Sequence, residues 1–374
     1  MIVERLELVD FRNYASAKFE LTDGMTVVMG DNGHGKTNLA EALAYLATLS
    51  SFRATNNEAM IREGADRAVV RAVVRQPDER RESIDAELPR RGVGRVFVNR
   101  QRLRKVRDLL GTVRVTVFSP DDLVIVKGSP GGRRRYLDET LSTLSRKHDA
   151  ARLDIDRLLR QRNTLLKQLG SRWAPASQAG SRGGDDDATL DIWDQRFSDA
   201  GDQFGATRAA LVEQLTPLVG AAYGELAGDT SVRLSYDPPW RRTGLAAALA
   251  AARDDDLRLR TSTVGPHRDD VDLFLNDLPA RTHASQGEQR SLALALQLAT
   301  HRLVVAETGD EPVLVLDDVL SELDDGRSAS LLAHLHGGQI VITTASAMPP
   351  GAHPDAVIRI ENGTRVEVSG GTAT

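Results

Sequence analysis

Gly30-Asp31-Asn32-Gly33-His34-Gly35-Lys36-Thr37 decides the fold. The stretch fits G-x-x-x-x-G-K-[ST]. It follows a short apolar strand pattern at residues 26–29 and precedes a run with apolar side chains at 39, 42, 43, 46 and 49, the spacing of a helix. Between a strand and a helix, this pattern is a phosphate loop. Its glycines let the backbone curl until several N–H groups converge on one anion. The helix that starts near Lys36 turns the positive end of its dipole to the same point. The Lys36 ammonium is expected to reach the β and γ phosphates of a nucleotide, and the Thr37 hydroxyl to ligate Mg²⁺. The expected nucleotide set is therefore Gly30, Asp31, Asn32, Gly33, His34, Gly35, Lys36, Thr37 and Asn38.

Two further stretches complete the pattern. Residues 313–316 read VLVL, an unbroken apolar run suited to a buried parallel strand, and end in Asp317-Asp318. Two carboxylates at the tip of such a strand are costly unless they serve a cation or a reaction. Asp317 is expected to hold Mg²⁺, and Asp318 to orient or deprotonate the attacking water. The second stretch, Ser285-Gln286-Gly287-Glu288-Gln289, is a capping box ahead of an amphipathic run. It also resembles the ABC signature, with Ala284 in place of the usual leucine and Gln286 in place of the first glycine. That resemblance implies that Ser285 to Glu288 bind the γ-phosphate held by a second subunit. It also implies that Ser321 and Asp324, just after the acidic strand, lie at the dimer interface as a D-loop.

The 374 residues are 41% hydrophobic and 27% charged, ordinary for a globular chain. No stretch approaches ~20 uninterrupted apolar residues. The start, MIVERLELVDFRNY, is charged throughout and is not a signal peptide. There is no cysteine, which excludes disulfides and thiol chemistry. These features favour a cytoplasmic protein with no membrane partner. The net charge of -5 does not by itself suggest nucleic acid. The distribution does: Arg90, Arg91, Arg95, Arg100, Arg102, Arg104, Lys105 and Arg107 fall in a stretch with no acidic residue, a candidate phosphate-binding face or a solvated loop. Arg133, Arg134 and Arg135 form a second candidate, unless they pair with Asp138 and Glu139 on their own helix. His267, alone in a proline turn, reads as structural.

Strand patterns fill most of the first 120 residues and return after 271, around a middle of helical periodicity. The fold expected is α/β, a P-loop ATPase head with an inserted α-helical lobe. Its boundaries are expected at 1–124 for the first part of the head, 125–260 for the lobe and 261–374 for the rest. A Gly-, Ser- and Asp-rich mobile loop is expected near 170–189.

The order of blocks along the chain is similar to that of the RecF family of ABC-type ATPases. The blocks are LELVDFRNY at 6–14, GDNGHGKTNLAEAL at 30–43, SFR at 51–53, FSPDDLVIVKGSPGGRRRYLD at 118–138, TVGPHRDD at 263–270, SQGEQR at 285–290 and LVLDDVLSELD at 314–324. Residues 150–260 match in helical character only. The resemblance implies a slow ATPase that dimerises on ATP and binds double-stranded DNA at gaps. It implies work with RecR and RecO to load RecA in recombinational repair, replication restart and the SOS response. It also implies that Arg12 approaches the ATP phosphates. Thr343-Thr344 ends a strand where many ABC proteins carry a switch histidine, and none is present here. Rival readings are a transporter ATPase subunit, opposed by the helical insertion, the arginine-rich stretch at 90–107 and the missing switch histidine, and a nuclease-linked ATPase, which needs an added carboxylate domain. SMC-type arms need long heptads, for which the chain has no room.

Overall fold

The computed structural model describes residues 1–53, 56–170, 184–335, 337–345 and 351–366. Of the loop expected near 170–189, residues 171–183 lie outside the described residues. The chain divides into two compact units, one of residues 1–123, 218–230 and 284–374, the other of 124–217 and 231–283.

In the first unit the chain runs through β1 (Ile2–Phe11), β2 (Tyr14–Glu20), β3 (Met25–Met29), α1 (Lys36–Thr48), β4 (Arg67–Arg75), β5 (Arg81–Pro89), β6 (Arg95–Val98), β7 (Gln101–Arg102) and β8 (Val115–Phe118). The second unit holds α2 (Leu123–Lys127, which begins at the boundary), α3 (Pro130–Leu144), α4 (Arg146–Gly170), most of α5 (Gly184–Ala227), β9 (Val232–Ser235), α6 (Leu245–Leu259), β10 (Asp272–Leu275), β11 (Leu278–Pro279) and α7 (Ala280–His283). The first unit then resumes with α8 (Gln286–Thr308), β12 (Val313–Asp317), α9 (Asp325–His334), β13 (Ile340–Thr344), β14 (Ala356–Glu361) and β15 (Thr364–Val366).

The first unit has two six-stranded sheets. One is antiparallel, in the order β2-β1-β4-β5-β6-β7; the other runs β15-β14-β3-β13-β12-β8 and is parallel except for β15. Their shared core explains the residue types. Leu6, Leu8, Val70 and Val74 come from the antiparallel sheet, Val313, Val315 and Val341 from the parallel one, and Leu39, Leu43 and Leu46 from α1. Helix α1 is buried on nearly every face, so the 3.6-residue period that marks it is filled in by Ala40, Ala42 and Ala44.

The expected boundaries shift at two places. Residues 261–283 stay with the second unit because β10 pairs antiparallel with β9. Residues 218–230 join the first unit: past Pro217, Glu225 of α5 accepts both ends of the Arg302 guanidinium of α8, and its carbonyl takes the Ser330 hydroxyl of α9 at 2.6 Å. Within the helical middle, residues 130–170 form two helices rather than one, broken at Ser145, which is extended (φ -158, ψ 134).

Gln339, just before β13, joins the two sheets. It is 1% exposed. Its Oε1 accepts the Val3 N–H at 2.8 Å, and its Nε2 donates to the Val3 and Thr22 carbonyls, each at 2.8 Å. Val3 lies where the β1–β4 register shifts, so its peptide groups need a partner from outside the ladder. A buried backbone group left without its partner costs about 1–3 kcal/mol. Gln339→Leu is therefore expected to lower stability by about 1–3 kcal/mol, read from a denaturation midpoint; an unchanged midpoint would show that the Val3 peptide finds another partner.

Candidate functional site

The phosphate loop is braced from behind by the turn between β1 and β2. Asn13 Nδ2 donates to the His34 carbonyl at 3.0 Å, Tyr14 OH donates to the Gly35 carbonyl at 2.8 Å, and Asn38 Nδ2 donates to Asn13 Oδ1 at 2.7 Å. Gly363 N–H also donates to His34 O, at 2.9 Å. A planar trans peptide with its C=O held on one side presents the next N–H on the other. These bonds therefore aim the N–H groups of Gly35 and Lys36 away from the brace. Gly35 has φ 117, and a Cβ there would come within 2.8 Å of both the Tyr14 hydroxyl and Asn13 Oδ1. Only glycine fits. No side chain caps the N-terminus of α1, so its first-turn N–H groups remain available to an anion.

Lys36 is buried, and its Nζ donates to the carbonyls of Gly30 and Asp31 at 2.7 and 2.9 Å. Burial holds its pKa below the ordinary lysine value, while Asp318, Asp317 and Asp31 pull it the other way. Those carboxylates arrive from the adjoining strands. In the parallel sheet β3, which feeds the loop, lies beside β13, and β13 beside β12. This order brings Asp317 towards Thr37, whose side chain favours the charged carboxylate. Burial pushes the Asp317 pKa up; the hydrogen bond from Thr343, the Thr37 side chain and the charge of Arg53 oppose that shift.

Asp318 stands in the left-handed region (φ 54), half-buried, with Oδ1 buried and unpartnered. A triphosphate with Mg²⁺ fits this arrangement. Thr37 and Asp317 offer hard oxygen donors side by side, and Asp318 carries an oxygen in need of a partner. Among the described residues no cluster of three or more His, Asp or Glu could hold a metal alone. A cation completed by phosphate oxygens and water, the usual manner for Mg²⁺, needs no such cluster.

The signature stretch sits where its capping box predicts. Ser285 is the N-cap of α8: its hydroxyl accepts from Glu288 N–H at 3.3 Å, while Glu288 Oε2 accepts from Ser285 N–H at 2.7 Å. Those bonds hold the Glu288 pKa below the usual carboxylate range. A Cβ on Gly287 would lie 2.9 Å from Arg327 Nη1, so the backbone is bare where α9 meets α8. Gln286 opens the helix. Of the D-loop pair, Ser321 Oγ donates to the Asp318 carbonyl at 2.8 Å, and Asp324 caps α9 by accepting Arg327 N–H at 2.9 Å.

Other expected residues go elsewhere. Arg12 is turned onto α1: Nε and Nη2 bind the Glu41 carboxylate at 2.6 and 2.7 Å, and Nη1 binds the Ala59 carbonyl at 2.6 Å. Glu41 is fully buried and also accepts the Ser51 hydroxyl, so Arg12 here ties β1 to α1. Arg90 is likewise spent on Ala65 O, Glu58 and Arg62 O. Arg91, Arg95, Arg100, Arg102, Arg104, Lys105 and Arg107 are exposed, on or beside the β6–β7 hairpin at the edge of the antiparallel sheet.

The Arg133 to Arg135 trio belongs to its own unit. Arg133, 5% exposed, grips both oxygens of Asp270 at 2.7 and 2.8 Å; Arg134 donates to the Asp269 carbonyl at 2.7 Å; Arg135 pairs with Glu139 at 3.3 Å. Asp138, expected to pair with them, is held by Arg208 instead. His267 Nε2 meets the Ser262 carbonyl at 3.0 Å, and burial pushes its pKa down, which suits a structural neutral imidazole. The sequence reading missed Arg53 and the hydroxyl of Thr343 as neighbours of Asp317. The SFR block carried the signal for the first; a threonine in an apolar strand carried almost none for the second.

The family described as the RecF/RecN/SMC N terminal domain matches residues 2–366. The DNA replication and repair protein RecF of Streptomyces avermitilis is 44% identical over 382 residues, covering 100% of this chain and 99% of that protein. A recombination mediator protein RecF of the RecFOR pathway, solved with ATP, superposes with a TM-score of 0.88 at 29% identity, covering 98% of this chain and 97% of that one. An Smc head domain from Pyrococcus furiosus shares the fold, with a TM-score of 0.57 at 16% identity over 97% of this chain and 94% of that one.

Lys36→Ala removes the one ammonium directed into the loop. It is expected to abolish nucleotide binding, measured by titration with a fluorescent ATP analogue; wild-type affinity in that variant would refute the assignment of the loop.

Proposed function

We propose a mechanism from one premise: the chain belongs to the RecF family, within the RecF/RecN/SMC N-terminal group. It is a DNA replication and repair protein of the recombination pathway, and it binds and hydrolyses ATP. The reading rests above all on the order and register of the parallel sheet, which set β13 between β3 and β12 and so bring the acidic strand tip of Asp317 and Asp318 to the phosphate loop.

The loop N–H groups and Lys36 receive the phosphates, while Thr37 and Asp317 would hold Mg²⁺. When bound, the ion supplies neutralisation of the charge on the β and γ phosphates. Asp318 accepts a proton from the attacking water as that water's oxygen bonds to the γ-phosphorus. The bond from that phosphorus to the β–γ bridging oxygen then breaks, and ADP and phosphate leave. Ser285, Gly287 and the N-terminus of α8 meet the γ-phosphate held by a second copy of the chain, with Ser321 and Asp324 at the same interface. ATP is then the link between two subunits, and hydrolysis lets them part.

DNA is met through phosphate contacts that position without reading sequence. The exposed β6–β7 hairpin, with Arg95, Arg100, Arg102 and Arg104, is the surface we assign to it. Double-stranded DNA at gaps is the expected substrate. RecR is the direct partner, RecO acts in the same pathway, RecA is loaded as the outcome, and the SOS response depends on it. A cytoplasmic location is the one that work on DNA favours. Among the described residues no helix is long and apolar enough to cross a membrane. The relatives favour neither a transporter nor a nuclease-linked ATPase.

Asp318→Asn is expected to form the ATP-dependent dimer in sedimentation yet lose phosphate release by about 10²–10⁴-fold. Unchanged turnover would remove Asp318 from the chemistry, and a monomer at saturating ATP with gapped DNA would remove the dimer. Reversing charge at Arg102 and Arg104 is expected to weaken binding to DNA of any sequence and to flatten its salt dependence. Undiminished binding would move the DNA surface elsewhere.

A further inference from the structure

We propose that Thr343 is a positioning residue for ATP hydrolysis: its hydroxyl bridges the Asp317 carboxylate and the Asp318 backbone and holds the two acidic residues in one arrangement. The inference rests on the assignment of Asp317 and Asp318 given above.

All five residues of β13, Ile340–Thr344, are buried. A strand buried on both faces ordinarily carries apolar side chains, and a buried hydroxyl must find partners. Thr343 is 1% exposed. Its Oγ1 donates to Asp317 Oδ1 at 2.6 Å and accepts from Asp318 N–H at 3.1 Å. The roles are fixed, because an amide can only donate and a hydroxyl has a single proton. The proton therefore points at Asp317, and a lone pair at Asp318. The Thr343 carbonyl also accepts the Asp318 N–H, at 3.2 Å.

The register places this hydroxyl at a junction. Thr343 lies opposite Asp317 on one side and Val28 on the other, two residues before Gly30 opens the phosphate loop. A change at Thr343 therefore acts on the strand tips that carry the Mg²⁺ ligand and the base.

The conformation of Asp318 shows what the bridge does. At φ 54 its backbone is in a region that side chains other than glycine seldom adopt, and such a conformation persists only where its surroundings hold it. The carboxylate Oδ1 is buried and has no hydrogen-bond partner among the described residues, so beyond the attraction of Lys36 no hydrogen bond aims that oxygen. Its direction follows from the backbone, and the backbone is pinned through Thr343. On the other side, the hydroxyl occupies Oδ1 of Asp317 and leaves the other oxygen for a cation. One hydroxyl thus sets both the ligand and the base.

The test compares Thr343→Val, which keeps the shape and loses the hydroxyl, with Thr343→Ser, which keeps the hydroxyl. Three quantities are read on the full chain: ATP affinity, single-turnover hydrolysis, and Mn²⁺ affinity by electron paramagnetic resonance with a non-hydrolysable ATP analogue. For Thr343→Val, ATP affinity is expected to stay near wild type. Turnover falls by about 100-fold, the effect of misplacing a reacting group by about 1 Å. Mn²⁺ affinity falls by about 10-fold or more, as when the partner of a metal ligand is removed. Thr343→Ser is expected to restore both. Wild-type turnover and Mn²⁺ affinity in Thr343→Val would overturn the proposal, as would a Thr343→Ser variant as impaired as Thr343→Val, since the methyl group would then be what matters. If Thr343→Val does not fold, Thr343→Ala against Thr343→Ser makes the same comparison, and the same results support or overturn the role of the hydroxyl. Asp318→Asn separates the two levels of inference. An inactive Asp318→Asn beside an unimpaired Thr343→Val sinks only the role of Thr343, whereas an active Asp318→Asn sinks the assignment beneath it.

Discussion

A carboxylate at the buried end of a parallel strand has to be answered, and the first unit is arranged around the answer. Asp317 is 4% exposed, and burial alone would drive it towards its protonated form. Thr343 hydrogen-bonds it at 2.6 Å, and Thr37 and Arg53 also favour its charged form. Each comes from a different part of the chain, the start of α1, the end of β13 and the segment after α1, so satisfying one carboxylate fixes three pieces of backbone around it. Lys36 is in the complementary position: an ammonium whose burial is unfavourable and whose stability depends on Asp318, Asp317 and Asp31. Charges this dependent on each other are well placed to bind a polyanion with its cation.

Precision in the loop comes from outside it. The β1–β2 turn supplies Asn13 and Tyr14, which hold the carbonyls of His34 and Gly35. Arg12, between β1 and Asn13, is locked onto Glu41 of α1. The antiparallel sheet thereby sets the peptide planes of the loop, and Gln339 ties that sheet to β13. A site built on packed strands is more exact than one borne by loops alone.

The second unit puts its ionic chemistry to a different use. Arg162 is fully buried, with Nε on Asp194 and Nη1 on Asp256, each at 2.6 Å, and Asp256 in turn accepts Thr263 N–H and Oγ1. Arg208 grips Asp138, and Asp269 accepts Tyr236 OH at 2.5 Å and Trp240 Nε1 at 2.7 Å. Much of the block TVGPHRDD therefore serves as scaffolding, with Asp269 and Asp270 holding the tyrosine, tryptophan and arginine around them. Buried ion pairs contribute less to net stability than their number suggests, but breaking one leaves an uncompensated charge, which penalises alternative packings.

The sequence by itself determined the chemistry that short spacing encodes. Gly30 to Thr37 between a strand and a helix, the apolar run into Asp317-Asp318, and the capping box at Ser285 each depend on residues within one or two turns of each other, where local geometry leaves few choices. An α/β class with a helical middle was legible for the same reason. Tertiary structure alone decided which arginines face solvent and which are partnered. Arg12, Arg90 and Arg133 look like free cations along the chain; their partners Glu41, Glu58 and Asp270 lie 29, 32 and 137 positions away. It also decided that Thr343, an unremarkable residue in an apolar strand, lies opposite Asp317. Strand order and register are set by the packing of the whole sheet, and no local spacing encodes them.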